Sequence, residues 1–89
     1  GVLIIASHGH HFPEEDQWVA LGLRWKANLL VSGHTHRALL DRRENMVLMN
    51  PGSLALPRNV PCVGIVDTSE RTVKLRDVRD GSIYSQVVL

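Results

Sequence analysis

Three runs of this sequence are almost continuously apolar, at residues 2–6, 29–31 and 63–66. Strands of this composition occur where both faces of a β-sheet are covered by other elements. The chain offers one amphipathic helix, predicted over 14–26, and a single helix covers much of only one face of such a sheet. We therefore expect the chain either to pair with a copy of itself or to pack against a missing half.

The predicted elements follow the order strand, helix, strand, and then a run of antiparallel strands. Turn residues separate them, and the longest connection is a loop over 54–61 bounded by Pro57 and Pro61. This order predicts one α/β (α+β) domain over residues 1–89, with one mixed β-sheet and one main helix. The predicted strands cover 2–7, 29–32, 37–43, 46–50, 62–67, 72–78 and 82–88.

Length and charge exclude several classes of protein. Eighty-nine residues allow one small domain. A formal net charge of +1 gives no basic field to attract nucleic acid or an anionic membrane. No apolar stretch reaches the length of a membrane span, and no signal peptide is visible. The single cysteine, Cys62, excludes an intramolecular disulfide, suits a reducing cytoplasm and is expected to pack in the core. We predict a cytoplasmic protein that binds neither membrane nor nucleic acid.

The histidines are concentrated in two clusters, and each cluster follows an apolar strand. All five lie within the first 36 residues: His8, His10, His11, His34 and His36. Loops at strand ends are the usual ligand sites of α/β sheets, and neutral imidazole is a common metal ligand. His34 and His36 are two residues apart, which in an extended segment directs both side chains to the same side. His8 is a third candidate ligand, because its strand is expected to neighbour the strand before His34.

Each histidine also has a simpler explanation. A lone loop histidine is usually solvated or hydrogen-bonded to its neighbours. His11 fits that description, whereas His10 is a candidate to support the site or face a substrate. Trp18 and Trp25 recur at helical spacing, and we interpret both as core residues.

Other candidates lie after the fourth predicted strand. The sequence Asn-Pro-Gly-Ser at 50–53 is explained by a turn alone, since Pro and Gly are standard turn residues. Arg58 is exposed surface by default, although a guanidinium group suits a phosphate contact.

Three motifs carry a resemblance to a known family. Ser-His-Gly-His at 7–10, Leu-Leu-Val-Ser-Gly-His-Thr-His at 29–36 and Asn-Pro-Gly-Ser at 50–53 occur in this order and spacing. Together they resemble the calcineurin-like metallophosphoesterases, most closely the small YfcE-type phosphodiesterases. Relatives of that group include the phosphoesterase-like subunit of the retromer coat. The resemblance covers essentially the whole chain and concerns the C-terminal half of the family domain.

The resemblance implies a four-layer αββα sandwich with a dinuclear metal site between its sheets. The two divalent ions in such sites are usually Mn, Fe, Zn or Ni. Carried over by position, His8 and His34 would ligate one ion and His36 the other. The 50–53 segment, with Asn50 and Ser53, would form a loop that supports the site without ligating metal. Such ions clamp phosphate oxygens and lower the pKa of a bridging water that attacks phosphorus.

The sequence also departs from the family pattern. The Asp-x-His, Gly-Asp and Gly-Asn motifs of the family belong before position 1, and none of the nine carboxylates follows a glycine at the end of an early strand. The chain begins inside an apolar run without an initiator methionine, so we expect a piece of a longer protein, although processing or tag removal would explain the missing methionine equally well. Three histidines could still bind one zinc ion. We expect the isolated chain to be weakly active or inactive.

Three functions are compatible with these residues. The first is a metal-dependent phosphodiesterase or phosphatase that acts on phosphate esters, with this chain supplying the histidine ligands. The second is a non-catalytic metal- or protein-binding scaffold that resembles the retromer subunit. The third is a truncated remnant that folds by self-association. The three retained histidines and the 50–53 motif favour the enzyme, because a pure scaffold does not need them.

Overall fold

The computed structural model describes residues 1–8 and 15–89 and confirms each predicted element. Element ends differ from the predictions by at most two residues on the described part of the chain. The start of the helix predicted at 14, and the candidates His10 and His11, lie outside the described residues. The elements are β1 (Ile4–Ala6), α1 (Glu15–Arg24), β2 (Leu29–Val31), β3 (Ala38–Arg43), β4 (Met46–Pro51), β5 (Cys62–Asp67), β6 (Thr72–Asp77) and β7 (Ile83–Val88).

The predicted α+β class with a mixed sheet and one main helix is confirmed. The strands form two sheets, however, so the expectation of a single sheet is wrong. The first sheet is mixed, with the order β1-β2-β4-β3, and the second has the order β5-β6-β7 and is antiparallel. In the first sheet β4 is already paired on both sides, with β2 and β3. The proline-containing segment 52–61 then leads to β5, which starts a second sheet instead of extending the first.

The two sheets pack face to face over one apolar cluster. Period-two alternation directs every second side chain of a strand toward this interface. Leu29, Val47 and Met49 meet Cys62 and Leu75 there, and all five are buried. The burial of Cys62, which is 3% exposed, confirms its predicted place in the core.

The opposite face of the first sheet is covered by α1. Trp18 lies in this second cluster with Leu30 and Met46, which come from β2 and β4. Gly22 allows the close approach, because a Cβ there would lie 2.4 Å from the sulfur of Met46. In the described part of the chain, α1 included, no helix is long and apolar enough to cross a membrane.

The end of α1 corrects one core prediction. Lys26 has a φ of 55°, and the Ala27 N–H donates to the Gly22 carbonyl at 3.0 Å, which closes the helix with a left-handed residue. Trp25 follows the last helical residue and is 62% exposed, so its predicted place in the core is wrong. Trp18, at 5% exposure, is the tryptophan that packs in the core.

The resulting order of layers is helix, sheet, sheet, and parts of the sheets remain uncovered. Ile4 is the register partner of Leu29, yet Ile4 is 43% exposed while Leu29 is fully buried, so the second sheet covers β2 but not β1. Val63 and Ile65, on the outer face of β5, are 39% and 43% exposed. The described residues therefore leave apolar faces of the strands uncovered, as we expected from a chain with a single predicted helix.

Candidate metal centre

The two loops that carry the histidines follow the carboxyl ends of β1 and β2, so they start at the same end of the first sheet. Because β1 and β2 are parallel and Ala6 pairs with Val31, the residues two positions further on are also side by side. The Gly33 N–H donates to the His8 carbonyl at 3.2 Å. Sequence analysis predicted this neighbour relation, and the register of the strands confirms it.

The imidazoles of His8 and His34 lie next to each other at this end of the sheet. Their ring centroids are 5.5 Å apart, and the ring planes are inclined by 71°. Two imidazoles that share one ion at metal–nitrogen distances of about 2.0–2.1 Å in a tetrahedral arrangement have ring centroids about 5 Å apart. The spacing of this pair is close to that value, and its inclined ring planes are also those of an edge-to-face contact between two rings.

The backbone of the second loop differs from the extended segment assumed in the sequence analysis. His34 has a φ of 73° and His36 a φ of 62°, so both are in the left-handed region. The period-two argument for their side chains is therefore wrong. Non-glycine residues in this region cost about 1–3 kcal/mol in strain, and such strain is concentrated at functional sites.

His36 does not complete a group of three ligands with His8 and His34 among the described residues. It is half-buried, and its carbonyl accepts a hydrogen bond from the Arg58 N–H at 2.9 Å. Across residues 1–8 and 15–89, no three His, Cys, Asp or Glu residues form a group that could hold a metal ion. The structure thus brings His8 and His34 together and adds no third such ligand from the described residues.

Asn50 connects the end of β4 to the histidine loop through a buried side chain. It is 3% exposed, and its Nδ2 donates to the Gly33 carbonyl at 3.1 Å and to Thr35 Oγ1 at 2.9 Å. Its Oδ1 accepts from the Gly52 N–H at 2.9 Å. One amide therefore holds the 33–36 loop and the start of the 52–60 loop together.

The 52–60 loop follows β4 and runs along the start of β3. Gly52 has a φ of 82°, and a Cβ there would lie 3.0 Å from the Ala38 nitrogen, so both conformation and space favour glycine. The Ser53 hydroxyl accepts from the Leu56 N–H at 2.9 Å, which orders the loop itself. Arg58 is exposed.

Sequence analysis missed Asn59 and Thr35. Asn59 Oδ1 accepts from the Ala38 N–H at 2.7 Å, and Asn59 Nδ2 donates to the Ala38 carbonyl at 3.0 Å. Thr35 Oγ1 accepts from Asn50, as described above. Thr35 lies inside the Gly-His-Thr-His motif and could have been noted as a polar partner. No local pattern indicates that Asn59 pairs with a residue 21 positions earlier.

Several carboxylates accept hydrogen bonds within turns and hairpins and not at the end of the sheet where the histidines lie. The Glu70 N–H lowers the pKa of Asp67, and the Arg79 guanidinium lowers that of Asp77. Two more carboxyl groups with a lowered pKa accept hydrogen bonds from residues one or two positions away. These carboxylates are Asp41 and Asp80.

A cavity of about 360 Å³ lies at the opposite end of the strands of the first sheet, between the end of α1 and the β3–β4 turn. Its lining includes Leu23, Lys26 and Glu44 but no histidine. It is therefore separate from the His8–His34 pair.

Comparison with known proteins gives a family. The model of the calcineurin-like phosphoesterase superfamily domain matches residues 1–71. The phosphodiesterase YfcE of Escherichia coli K12 is 31% identical over 88 residues, which is 97% of this chain and 45% of the E. coli protein.

Solved structures show the same fold. A predicted phosphoesterase of Streptococcus pneumoniae matches 97% of this chain and 56% of its own with a TM-score of 0.78 at 21% identity. Vps29 of Entamoeba histolytica, solved in complex with Zn²⁺, matches 91% of this chain and 52% of its own with a TM-score of 0.64 at 22% identity. At these identities the likeness concerns the fold alone.

The curated relatives are longer than this chain, which spans 31% to 48% of the length of the first three. The family model nevertheless matches 71 of the 89 residues and includes both histidine loops and the 50–53 segment. The helix–sheet–sheet layering agrees with the solved relatives. The chain belongs to the calcineurin-like phosphoesterase superfamily and is of the YfcE type.

Proposed function

We propose that this chain supplies the histidine ligands of a metal-dependent phosphoesterase site that hydrolyses phosphate esters. The observation that carries the proposal is the His8–His34 pair, with ring centroids 5.5 Å apart at the ends of two adjacent parallel strands. Membership of the superfamily supports the same reaction class.

His8 and His34 would hold one divalent ion, and His36 would contribute to a second. Mn, Zn, Fe and Ni all suit imidazole ligands, so the donor set does not select among them. Two bound ions would clamp phosphate oxygens and provide an activated water at neutral pH. The protein's own contribution is to orient the imidazoles, and Asn50 does this by holding the loop that carries His34 and His36.

The remaining ligands of a complete site would come from outside the described residues. Dinuclear hydrolytic sites need groups that bridge and space their ions, and imidazoles do not bridge as carboxylates do. A missing N-terminal half or a second copy of the chain would provide such groups. We therefore expect weak hydrolysis or none from the chain alone, and we place the complete protein in the cytoplasm.

A second candidate function is a protein-binding scaffold. The observation that favours it is the exposed apolar strand surface, which includes Ile4, Val63 and Ile65. Ile4 belongs to the first sheet, whereas Val63 and Ile65 lie on the outer face of the second. Exposed apolar surface on sheets is one feature of protein interaction sites. Hydrolysis of a phosphate ester by the completed site separates the two candidates, since a scaffold of this kind can bind metal without catalysing a reaction.

The first prediction concerns His34→Ala. Removing one of two adjacent imidazoles should abolish most metal binding, and any hydrolysis of bis(p-nitrophenyl) phosphate with added Mn²⁺ should disappear with it. His11→Ala is the matched control, because it removes an imidazole that we expect to be at the surface. Metal content is measured by equilibrium dialysis and elemental analysis.

Equal metal content in the His34→Ala variant and the wild-type chain would contradict the ligand assignment. Loss of metal from the His11→Ala variant alone would contradict it too, because the ligands would then include His11 and not His34.

A second prediction tests backbone strain at His36. Glycine adopts positive φ without steric cost, so His36→Gly should have a higher free energy of unfolding than His36→Ala, by about 1 kcal/mol. Both variants should bind less metal than wild type. Urea denaturation followed by tryptophan fluorescence measures the difference, and a less stable glycine variant would show that position 36 carries no strain.

A third prediction concerns Asn50→Ala. Truncation leaves the part-buried Gly33 carbonyl and Gly52 N–H without this partner, and an unsatisfied group costs up to about 1–3 kcal/mol where it is shielded from water. We expect lower stability and also about 10- to 100-fold weaker metal binding, as for other groups that orient metal ligands. Asn45→Ala, in the exposed β3–β4 turn, is the control and should change neither quantity. Unchanged metal affinity in the Asn50→Ala variant would show that the amide does not position the site.

A further inference from the structure

Two consecutive residues of the 52–60 loop, Arg58 and Asn59, form hydrogen bonds with the chain at His36 and just after it. The Arg58 N–H donates to the His36 carbonyl at 2.9 Å. Asn59 then forms a reciprocal pair of hydrogen bonds with the backbone of Ala38, two residues after His36. Because both attachments use backbone atoms of the His36 segment, the position of the Arg58 Cα relative to His36 is set by the fold.

The end of this loop is held on its other side as well. Val60 packs against the cluster between the sheets, and Pro61 is buried. At the start of the loop, the Gly52 N–H donates to the buried Asn50 side chain. The loop backbone is therefore anchored before and after Arg58, which limits the conformational entropy lost when this side chain binds a ligand.

The Arg58 side chain is exposed, and its guanidinium is not neutralised within the described part of the chain. The ion pairs among these residues join Arg43 to Asp41 and Arg79 to Asp77. The 52–60 segment itself contains no Asp or Glu. A guanidinium without a carboxylate partner, on a residue whose backbone is hydrogen-bonded to His36, is available to an anion from solution.

We propose that Arg58 is a substrate-binding residue that contacts the phosphate group of the ester. This assignment rests on the proposed function and adds the group that recognises the substrate's charge. The planar guanidinium fork binds two phosphate oxygens at once, which a lysine ammonium does in a less directional way. Arg58 would draw the phosphate toward the edge at which His8, His34 and His36 lie.

The test is a titration of inorganic phosphate into the Mn²⁺-loaded chain, followed by isothermal calorimetry. Arg58→Gln should weaken phosphate binding about 10- to 100-fold, the loss expected for a charge-assisted hydrogen-bonding group. Arg58→Lys keeps the charge and should recover part of that loss. Arg24→Gln, an equal charge change at the exposed C-terminal end of α1, is the matched control and should bind phosphate like wild type. Each variant's metal content is measured in parallel.

Phosphate affinity in Arg58→Gln equal to wild type, with metal content retained, would overturn the assignment. So would equal losses in Arg58→Gln and Arg24→Gln, because the effect would then be one of net charge. A wild-type chain that binds metal but no phosphate also overturns it and leaves the metal-site proposal standing. A wild-type chain without metal contradicts the proposed function and this assignment together.

Discussion

Parallel pairing of β1 with β2 is the constraint from which the candidate site follows. The register that pairs Ala6 with Val31 brings the residues after both strands to one edge, where the His8 carbonyl accepts from the Gly33 N–H. Parallel neighbours cannot be joined by a tight turn, so the connection must cross over the sheet. The segment that crosses contains α1, whose apolar side, with Trp18, also covers the sheet face beneath it. One topological requirement therefore provides both the core and the meeting of the two histidine loops.

The loops at this edge are held by polar groups that the fold buries. Asn50 lies at the end of β4, the third strand of the parallel set, and its single amide contacts both the 33–36 loop and the 52–60 loop. A buried amide with all these bonds formed is favourable, whereas a broken set leaves unsatisfied groups in the interior. The left-handed backbone at His34 and His36 is consistent with such support, since strained residues persist only where their surroundings determine the conformation.

Local patterns in the sequence predicted the elements and the neighbouring positions of the strands that precede His8 and His34. Apolar runs marked the strands, and the strand–helix–strand order indicated parallel neighbours whose ends meet. The failures come from long-range packing. Whether β5 extends the first sheet or starts another depends on which strands already flank β4, and no local signal reports this. Trp25 has the spacing of a core residue, but α1 ends at Arg24 before that position.

The candidate site shows the same division between local and long-range information. Residue types and their places after strands identified the histidines as candidates, and the family resemblance added Asn50 and Ser53. The left-handed φ values of His34 and His36 were not predicted, because an extended backbone was assumed for a short loop. The pairing of Asn59 with Ala38 depends on the course of the whole 52–60 loop. Ligands that complete a dinuclear site could not be derived from these residues, since the sequence supplies the histidine side only.

A crystal structure of the chain grown with Zn²⁺ would show whether the loops that carry His8 and His34 form one half of a metal centre. Anomalous scattering at the zinc edge locates the ion independently of the protein model. The account predicts a peak about 2.0–2.1 Å from a ring nitrogen of both His8 and His34. Zinc bound elsewhere, or a metal-free edge with these two imidazoles turned apart, would contradict it.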